Sequence, residues 1–478
     1  MISAIVFWGL CAVLLLLPLP FGSDVPWAVF IFECAAFALA AFDLAGGFLV
    51  RKRVGGVGGN RPARAESLSG PTVDTTAGNG PRFPTYLKVL FLIFLAVTAV
   101  QLIPLPPSVL KIISPRTSAL YGELGAGGWR TLSFAPALSV SEIVQYLFFG
   151  IFAFLIYRHV RTRWRIEAFT LVLLAGGVFQ SFYGLAKLFG GSRKIFDFQS
   201  DYDFGLATGT YTNHDYFAGL LEMLFALALG YLLAKADFFS MKRDLTLREK
   251  AIWFGQERLQ KALLCGIIAV IIGLGIVFAR SRSGVFIFIA TIVLAAVAVS
   301  AGGRAKRSAR IVVSVAVMVV LAAVVVGIGP VIERFTKENV AKNSRFVFYG
   351  NTLKYIRAYP AAGTGLRTFV QVYPMFETKY EPGQLDHAYN DYLEVLAESG
   401  IVGGGALILF SLGGVGWIFT RWTKRRDPLV RGIVLGALLG VVAILMHSFT
   451  YFNLQNPANA VYFMALFALA ARAVDVKE

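Results

Sequence analysis

The sequence has few charged residues and very few cysteines. Only 15% of its 478 residues are Asp, Glu, Lys or Arg, whereas 57% are hydrophobic and 41 are Phe. This composition exceeds what a soluble core needs and excludes an ordinary soluble globular protein. The three cysteines, Cys11, Cys34 and Cys265, all lie in apolar runs. The sequence therefore offers no disulfide or zinc site to its loops.

Long apolar runs dominate the rest of the sequence. About twelve of them approach the ~20 residues needed to cross a bilayer. The first run has no basic residues in front of it, so we expect a retained helix and not a cleaved signal peptide. The chain is therefore predicted to be an all-α polytopic membrane protein with about twelve transmembrane helices. The runs cover residues 2–20, 26–49, 84–104, 142–158, 166–189, 214–234, 261–279, 284–301, 311–330, 400–420, 432–450 and 457–473.

Lysine and arginine are concentrated in alternate loops. Because basic loops stay in the cytoplasm, this pattern predicts that both chain termini lie there. The formal net charge of +17 is mostly a result of this asymmetry, and it does not indicate a nucleic-acid partner. The basic loops contain residues 51–53, 158–165, 242–258, 304–310 and 421–431.

The loops and spans divide the sequence into five parts. Residues 51–83 are rich in Gly, Pro, Ser and Thr, which predicts a flexible cytoplasmic linker. Residues 331–399 are predicted to form a large loop outside the cytoplasm, as a mostly helical cap without a core of its own. The remaining parts are N-terminal transmembrane helices in residues 1–50, a transmembrane core in residues 84–330 and C-terminal transmembrane helices in residues 400–478.

A polar motif, HAYNDYLEVLAESGIVGG, precedes and enters one of the last spans. A neutral imidazole can accept a proton from a hydroxyl, and Asp391 or Glu394 can orient the ring of His387. The alternative is that His387 caps the helix and that the acids are merely solvated. Polar clusters at a membrane boundary are costly, which favours a functional role. If the motif is helical, five of its residues share one narrow sector: His387, Asn390, Asp391, Glu394 and Glu398.

Arginines form a second candidate site. Arg280 and Arg282 occupy a short turn, FARSRSGVF, between two predicted spans, and Arg345 begins the helix-like stretch RFVFYGNTLKYI. A guanidinium group binds two oxygens at once, which suits a pyrophosphate. The alternative is snorkelling to lipid headgroups, which fits poorly with two arginines held in one short turn. We therefore favour the binding of an anion by these residues.

An acidic pair is a candidate metal site. Asp201 and Asp203 form an Asp-x-Asp motif, which can hold Mg²⁺ or Mn²⁺ for a sugar donor. Two acids at this spacing are common by chance, and polar neighbours favour a solvated turn, so we predict no metal site. Two other histidines are interpreted as structural, His447 as a packed interface residue and His159 as a contact to lipid headgroups.

Several motifs in a fixed order resemble the O-antigen ligase and polymerase superfamily of bacterial inner membranes. The similarity extends from about Gly176 to Ala470. Two residues depart from the family pattern: Asp215 replaces an Asn, and Tyr389 stands where His or a Pro-like context is common. The motifs are GVFQSFYGLAKLFG, GTYTNHDYFAGLL, SRSG, YPAAGTGLRTF, HAYNDYLEVLAESGIVG and HSFTYFNLQNPA.

The resemblance implies a GT-C-like helical fold and an enzyme of the inner membrane whose active site faces the periplasm. Its implied reaction is the metal-independent, inverting transfer of a glycan from undecaprenyl pyrophosphate to an acceptor hydroxyl, with lipid A-core as the acceptor and no cofactor. The family's catalytic histidine corresponds to His387, assisted by Asp391 or Glu394. Its donor-binding arginines correspond to Arg282 and Arg345.

The wider substrate-binding set is predicted to include Arg280 and Asn390, because both lie beside these residues in the motifs. Undecaprenyl chains are expected to enter laterally between helices, which explains a site at the membrane boundary. The sequence contains no nucleotide-binding loop, which agrees with a donor that is already activated on a lipid.

Two other functions remain open. A polymerase of O-antigen or exopolysaccharide uses the same donor chemistry with a second lipid-linked glycan as acceptor, and the sequence does not separate the two. A solute transporter is a more distant alternative. A transporter is expected to place ionisable groups near mid-membrane, often beside broken helices. By contrast, the acids within the predicted spans, Glu33, Asp43 and Glu222, are isolated in the sequence.

The alternating basic loops predict that residues 335–380 lie outside the cytoplasm. We expect single cysteines introduced there, in a variant without the native cysteines, to react with a membrane-impermeant reagent in intact spheroplasts. Cysteines introduced in residues 56–80 should react only after lysis. The opposite labelling pattern would invert the topology and move the site away from the periplasm.

Overall fold

The computed structural model describes eight stretches of the chain, which are almost entirely helical. They are residues 1–55, 83–199, 205–235, 257–300, 305–329, 331–333, 345–378 and 385–476. Within these stretches the single sheet is a short hairpin of β1 (Lys194–Ile195) and β2 (Phe198–Gln199). The predicted all-α class is therefore confirmed.

The α-helices differ widely in length, from one turn to more than eight turns. In chain order they are α1 (Ile2–Leu16), α2 (Pro26–Gly55), α3 (Thr85–Val100), α4 (Pro107–Ile113), α5 (Pro115–Glu123), α6 (Pro136–His159), α7 (Arg163–Phe189), α8 (His214–Lys235), α9 (Glu257–Ala279), α10 (Arg282–Ser300), α11 (Ala305–Val326), α12 (Arg345–Ala358), α13 (Phe369–Val372), α14 (Asp391–Trp422), α15 (Pro428–His447) and α16 (Pro457–Ala473). Short 3₁₀ turns cover Phe21–Ser23, Tyr373–Phe376 and Asn453–Gln455.

The apolar helices agree with the spans expected from the sequence. Nine helices of the described stretches are long and apolar enough to cross a membrane, and three shorter apolar helices, α1, α3 and α16, accompany them. Each of the twelve overlaps one of the predicted runs. Large apolar side chains such as Phe30 and Leu44 are two-thirds exposed on α2, as expected for a helix that faces lipid. The chain is a multi-pass membrane protein.

Helix α8 lies at the centre of the bundle, and nearly all of its side chains are buried. It packs closely against α15 because small residues line the contact. A side chain added at Gly230 would lie within 2.5 Å of backbone atoms of Gly432 and Gly436. Small residues allow this close van der Waals packing between membrane helices, where apolar lipid reduces the hydrophobic driving force. This contact joins α8 closely to α15.

The segment between α11 and α14 contains a hydrophobic core of its own, contrary to the prediction for residues 331–399. Tyr355 of α12 stacks on Phe376 with ring centroids 5.3 Å apart and planes inclined by 3°. Phe369 stacks on both Tyr355 and Tyr373. The prediction was wrong because it neglected the aromatic residues of this segment, whose rings bury a large area each.

Two of the predicted domain boundaries, at residues 51 and 400, fall inside helices of the described stretches. Helix α2 continues to Gly55, so the predicted linker of residues 51–83 begins inside a helix, and residues 56–82 lie outside the described stretches. Asp201 and Asp203 also lie outside them. The predicted boundary at residue 400 coincides with a break in α14, where Gly400 has φ +69° and ψ 177°. Glycine suits this position because φ is positive and the chain passes close to Ala361.

Two acids that were predicted to be isolated within the spans are paired with histidines. Asp43 Oδ1 lies 3.1 Å from His159 Nε2, and Glu222 lies 3.0 Å from His447 Nδ1. His159 was predicted to contact lipid headgroups, but it is buried and its Nδ1 also contacts Ser3 Oγ at 3.0 Å. These predictions were wrong because the partners are far apart in sequence, whereas burial favours pairing in the folded bundle.

Candidate active site

The segment of residues 448–456 joins α15 to α16 and brings the predicted site residues together. We call it the 448–456 segment. Asn453 and Asn456 within it are fully buried, and Asn459 holds both: its Nδ2 donates to Asn453 Oδ1 at 3.0 Å and its N–H donates to Asn456 Oδ1 at 3.2 Å. These bonds fix the backbone of the segment, so side chains that contact it acquire defined positions.

His387 is held by a carboxylate and an aromatic ring. Its Nδ1 lies 2.6 Å from Glu394 Oε1, and the Ala388 N–H donates to Glu394 Oε2 at 2.8 Å. The imidazole stacks on Phe452 of the 448–456 segment, with ring centroids 4.3 Å apart. Glu394 is almost completely buried, whereas 30% of the His387 side chain is exposed. His387 therefore has a fixed orientation and remains accessible from the surface.

His387 precedes α14 in the sequence and is not part of this helix, contrary to the predicted helical stripe. The helix begins at Asp391, and Asn390 caps it by accepting two backbone hydrogen bonds of 3.0 Å. Tyr389 has φ +53°, a conformation that no right-handed helix contains. The Asn390 Nδ2 also donates to the Phe449 carbonyl at 3.0 Å. Both polar groups of Asn390, predicted to bind substrate, are thus used within the fold.

The charge of His387 depends on the acids around it. Burial by itself lowers the pKa of His387, but the carboxylates of Glu394, Glu398 and Asp391 outweigh this effect and raise the pKa to about 9. The carboxylate of Glu394 only accepts hydrogen bonds, so Nδ1 carries the proton in the neutral ring and Nε2 has the lone pair. Because the folded-state pKa is raised, this pair stabilises the fold most below about pH 6.5, and the contribution is lost as pH rises through about 9.

Asp391, the other residue predicted to orient His387, has different contacts. Its Oδ2 accepts from the Leu454 N–H at 3.2 Å, and its N–H donates to the Ser448 carbonyl at 3.0 Å. It therefore ties the start of α14 to the 448–456 segment, and Glu394 is the residue that orients His387. Asp391 also lines an apolar cavity of about 100 Å³, whose other walls include Phe91, Tyr146, Val395, Leu407 and Phe463.

Arg345, the first described residue of α12, lies over two tyrosine rings. Its guanidinium carbon is 5.2 Å from the ring centroid of Tyr389 and 5.8 Å from that of Tyr451. Its Nη1 donates to the Thr450 carbonyl at 3.0 Å. Cation–π attraction and this hydrogen bond hold the guanidinium group in place. Both tyrosine rings also contact Phe452, on which the predicted catalytic histidine stacks.

Arg280 and Arg282 lie at a two-residue turn, as the sequence predicted. Helix α9 ends at Ala279 and α10 begins at Arg282. Arg280 has φ +54°, which reverses the chain within this short connection. The Ser281 hydroxyl accepts from the Gly284 N–H at 3.0 Å and so caps α10. The turn therefore fixes Arg282 at the N-terminus of a membrane-spanning helix.

Thr450 connects both arginine-bearing elements. Its hydroxyl is hydrogen-bonded to the hydroxyl of Ser283, the residue after Arg282, at 3.0 Å, and its carbonyl accepts from Arg345. The starts of α10 and α12 thus both contact Thr450. The predicted base, His387, stacks on Phe452, two residues further along the same segment. Arg345, His387 and the start of α10, which were predicted from separate motifs, thus all contact a single segment.

The motif GTYTNHDYFAG packs against the same segment. The Asn213 Nδ2 donates to the Tyr451 hydroxyl at 2.5 Å. A side chain at Gly219 would lie 2.3 Å from Asn453 Oδ1, so only glycine allows α8 to approach this closely. Asp215, which departs from the family pattern, is buried at the start of α8, and its N–H donates to Asn213 Oδ1 at 2.8 Å. This motif therefore supports the site by packing against Tyr451 and Asn453 of the 448–456 segment.

The organising role of Thr450, Tyr451 and Phe452 was not predicted from the sequence. The motif HSFTYFNLQNPA contained all three, but it contributed only to the order of motifs. A run of aromatic and hydrogen-bonding residues between two apolar spans was the available signal, because such a run at a membrane boundary is costly without partners.

Comparison with known families identifies a match in this part of the chain. Residues 267–408 match the family described as O-antigen ligase. The matched region contains Arg280, Arg282, Arg345 and His387, and it ends before the 448–456 segment. A comparison with curated proteins finds none that matches.

The contact between Glu394 and His387 predicts how His387 titrates. Glu394→Gln removes the nearest negative charge, so we expect the pKa of His387 to fall from about 9 towards the ordinary value of about 6.5. Diethylpyrocarbonate reacts with the neutral imidazole. Its rate of reaction with His387, followed by mass spectrometry, should rise with pH and reach half its maximum near pH 9 in the wild type and at a lower pH in Glu394→Gln.

The matched control is Glu123→Gln, an exposed acid on α5, which should leave the midpoint unchanged. The same midpoint in the wild type and in Glu394→Gln would contradict the assignment of Glu394 as the residue that governs the charge of His387.

Proposed function

We propose a specific reaction for the chain as a member of the O-antigen ligase superfamily, a membership that its motifs predicted and that the match of residues 267–408 supports. The family implies a glycan-transferring enzyme that works on a lipid-linked glycan and a glycan acceptor. We propose that the donor lipid is undecaprenyl pyrophosphate, that the acceptor is lipid A-core, and that transfer occurs on the periplasmic face of the inner membrane. The observation that carries the proposal is the convergence of three groups on the 448–456 segment: Arg345, His387 and Ser283, the residue after Arg282.

We assign the donor pyrophosphate to Arg282 and Arg345. Both belong to elements that are bonded to Thr450, and a planar guanidinium group binds two phosphate oxygens at once. Arg282 also lies in the first turn of α10, where the helix dipole favours an anion. Arg280 adds positive charge to the same turn. These groups offset the charge that develops on the leaving pyrophosphate, an effect that often contributes most to catalysis.

We assign the role of general base to His387. The neutral ring accepts the proton of the acceptor hydroxyl on Nε2 while Nδ1 remains bonded to Glu394. The hydroxyl oxygen then forms a bond to the anomeric carbon from the side opposite the pyrophosphate, the bond to the pyrophosphate oxygen breaks, and the configuration inverts. The Glu394 carboxylate stabilises the imidazolium that forms. The arginines supply the positive charge, so the proposed reaction uses neither a metal nor a cofactor.

The raised pKa of His387 has a consequence for the rate. With a pKa of about 9, the ring is neutral in only about 1% of molecules at pH 7. A base with a raised pKa also binds a proton more strongly once it is neutral. Transfer is therefore expected to accelerate as pH rises towards about 9.

We assign the apolar cavity beside Asp391, of about 100 Å³, to a short part of the donor's lipid chain near its pyrophosphate. It lies between α3 and α14 on one side and α6 and α16 on the other, and its walls are mainly aromatic and aliphatic. Leu454 and Gln455 of the 448–456 segment also line it. A polyprenyl chain that occupies this cavity would enter laterally from the bilayer and leave its pyrophosphate near the arginines.

A polymerase remains the alternative, because it uses the same donor chemistry and differs only in its acceptor. A transporter is less consistent with the positions of the ionisable residues. The pairs Asp43–His159 and Glu222–His447 include the last residues of α6 and α15, whereas a transport site is expected near mid-membrane.

The assignment of the pyrophosphate predicts the effect of arginine substitutions. Arg282→Ala and Arg345→Ala should each reduce transfer from a lipid-linked donor by at least about 100-fold, because each loses charge-assisted bonds to the leaving group. Lys at either position should restore part of the activity, since an ammonium group cannot bind two oxygens in the same plane.

Arg357→Ala is the matched control, because Arg357 is an exposed arginine on the same helix as Arg345. It should retain wild-type transfer at equal protein level. Full activity of both Arg282→Ala and Arg345→Ala would exclude the proposed pyrophosphate site. Lipid A-core and a second lipid-linked glycan, offered separately as acceptors, distinguish a ligase from a polymerase.

A further inference from the structure

A buried histidine–carboxylate pair lies directly behind the proposed pyrophosphate site. His447 is the last residue of α15, and its Nδ1 lies 3.0 and 3.1 Å from the two carboxylate oxygens of Glu222 on α8. Neither side chain has measurable exposure. Such a pair is costly to bury and stabilises a fold only when both partners remain. Its position requires an explanation beyond packing, because apolar residues would fill the same space.

The pair contacts the start of α10 and the turn at Thr450 that binds Arg345. The His447 carbonyl accepts hydrogen bonds from the Thr450 N–H at 2.9 Å and from the Thr450 hydroxyl at 3.1 Å. Thr450 in turn binds Arg345 and Ser283. On the other side of the pair, a side chain at Gly284 in the first turn of α10 would lie 3.2 Å from Glu222 Oε1. The pair thus supports the start of α10 and the turn that holds Arg345.

We propose that Glu222 and His447 are positioning residues for donor binding, which rests on the proposed function. By joining α8 to the end of α15, they fix Thr450, and Thr450 sets the separation of Arg282 and Arg345. The spacing of two guanidinium groups decides whether both bind one pyrophosphate. Loss of the pair therefore weakens donor binding without touching the donor or the base.

The chain contains a matched pair for comparison. Asp43 and His159 form a buried contact of 3.1 Å at the end of α6. Their side chains are 5% exposed, and their neighbours include Ser3 and Arg158 and neither Thr450 nor the arginines of the site. Breaking this pair imposes the same kind of cost on the fold. If donor binding weakens when the Glu222–His447 pair is broken but not when the Asp43–His159 pair is broken, the weakening is therefore not caused by a general loss of stability.

The test measures binding of undecaprenyl pyrophosphate without a glycan to purified full-length variants, together with their thermal unfolding. Glu222→Ala and His447→Ala should each raise the Kd by about tenfold or more, and the double variant should bind no more weakly than either single variant, because the pair acts as a unit. Glu222→Gln should bind within about threefold of the wild type, since an amide oxygen still accepts from Nδ1. Asp43→Ala and His159→Ala should lower the unfolding temperature and leave the Kd unchanged.

An unchanged Kd in Glu222→Ala and His447→Ala, or an equal loss of binding in Asp43→Ala, would overturn the inference. If the alanine variants do not accumulate, Thr450→Val removes the hydroxyl that contacts Ser283 and should also weaken binding. Unchanged binding in that variant would overturn the inference as well. Arg282→Ala and Arg345→Ala serve as the reference: if these two also bind normally, the proposed pyrophosphate site itself fails, and the role of the pair fails with it.

Discussion

The burial of ionisable side chains at the ends of a membrane-spanning bundle is the constraint on which the rest of the structure depends. An unpaired buried charge destabilises a fold strongly, because neither lipid nor the helix core solvates it. The fold satisfies this constraint by pairing histidines with carboxylates. Two of these carboxylates are distant in sequence from their histidines, and the third, Glu394, is separated from His387 by the start of α14. The contacts are His387–Glu394 at 2.6 Å, His447–Glu222 at 3.0 Å and His159–Asp43 at 3.1 Å. In our account the first pair performs chemistry and the second positions the donor.

The 448–456 segment brings the elements of the proposed site together. Thr450 binds the elements that carry the arginines, and Phe452 stacks on His387. The segment lies outside residues 267–408, the region that matches O-antigen ligases, yet the matched residues depend on it for their positions. An enzyme that transfers a bulky glycan from a lipid needs a rigid support beside an open surface. The buried asparagines of this segment provide that rigidity, while the partly exposed ring of His387 remains accessible.

The sequence predicted features that depend on local composition and missed those that depend on distant contacts. Hydropathy placed the twelve apolar helices of the described stretches, and the motif SRSG placed Arg282 at a short turn, because both are properties of neighbouring residues. The helical stripe failed at Tyr389, whose positive φ accompanies ring contacts to Phe348 and Tyr451. No pattern in the motif indicates that break. The partner of Glu222 was equally hidden, since the two residues lie 225 positions apart.

The most direct test of the central claim is to separate donor binding from transfer in purified protein. Our account predicts that His387→Ala binds the lipid-linked donor with wild-type affinity but transfers no glycan to the acceptor, with or without EDTA, whereas the wild type transfers equally well in both conditions. The claim would be contradicted by an EDTA-sensitive reaction that tolerates His387→Ala and is abolished by Asp201→Ala or Asp203→Ala. That outcome would replace the histidine base with metal-dependent chemistry in another part of the chain.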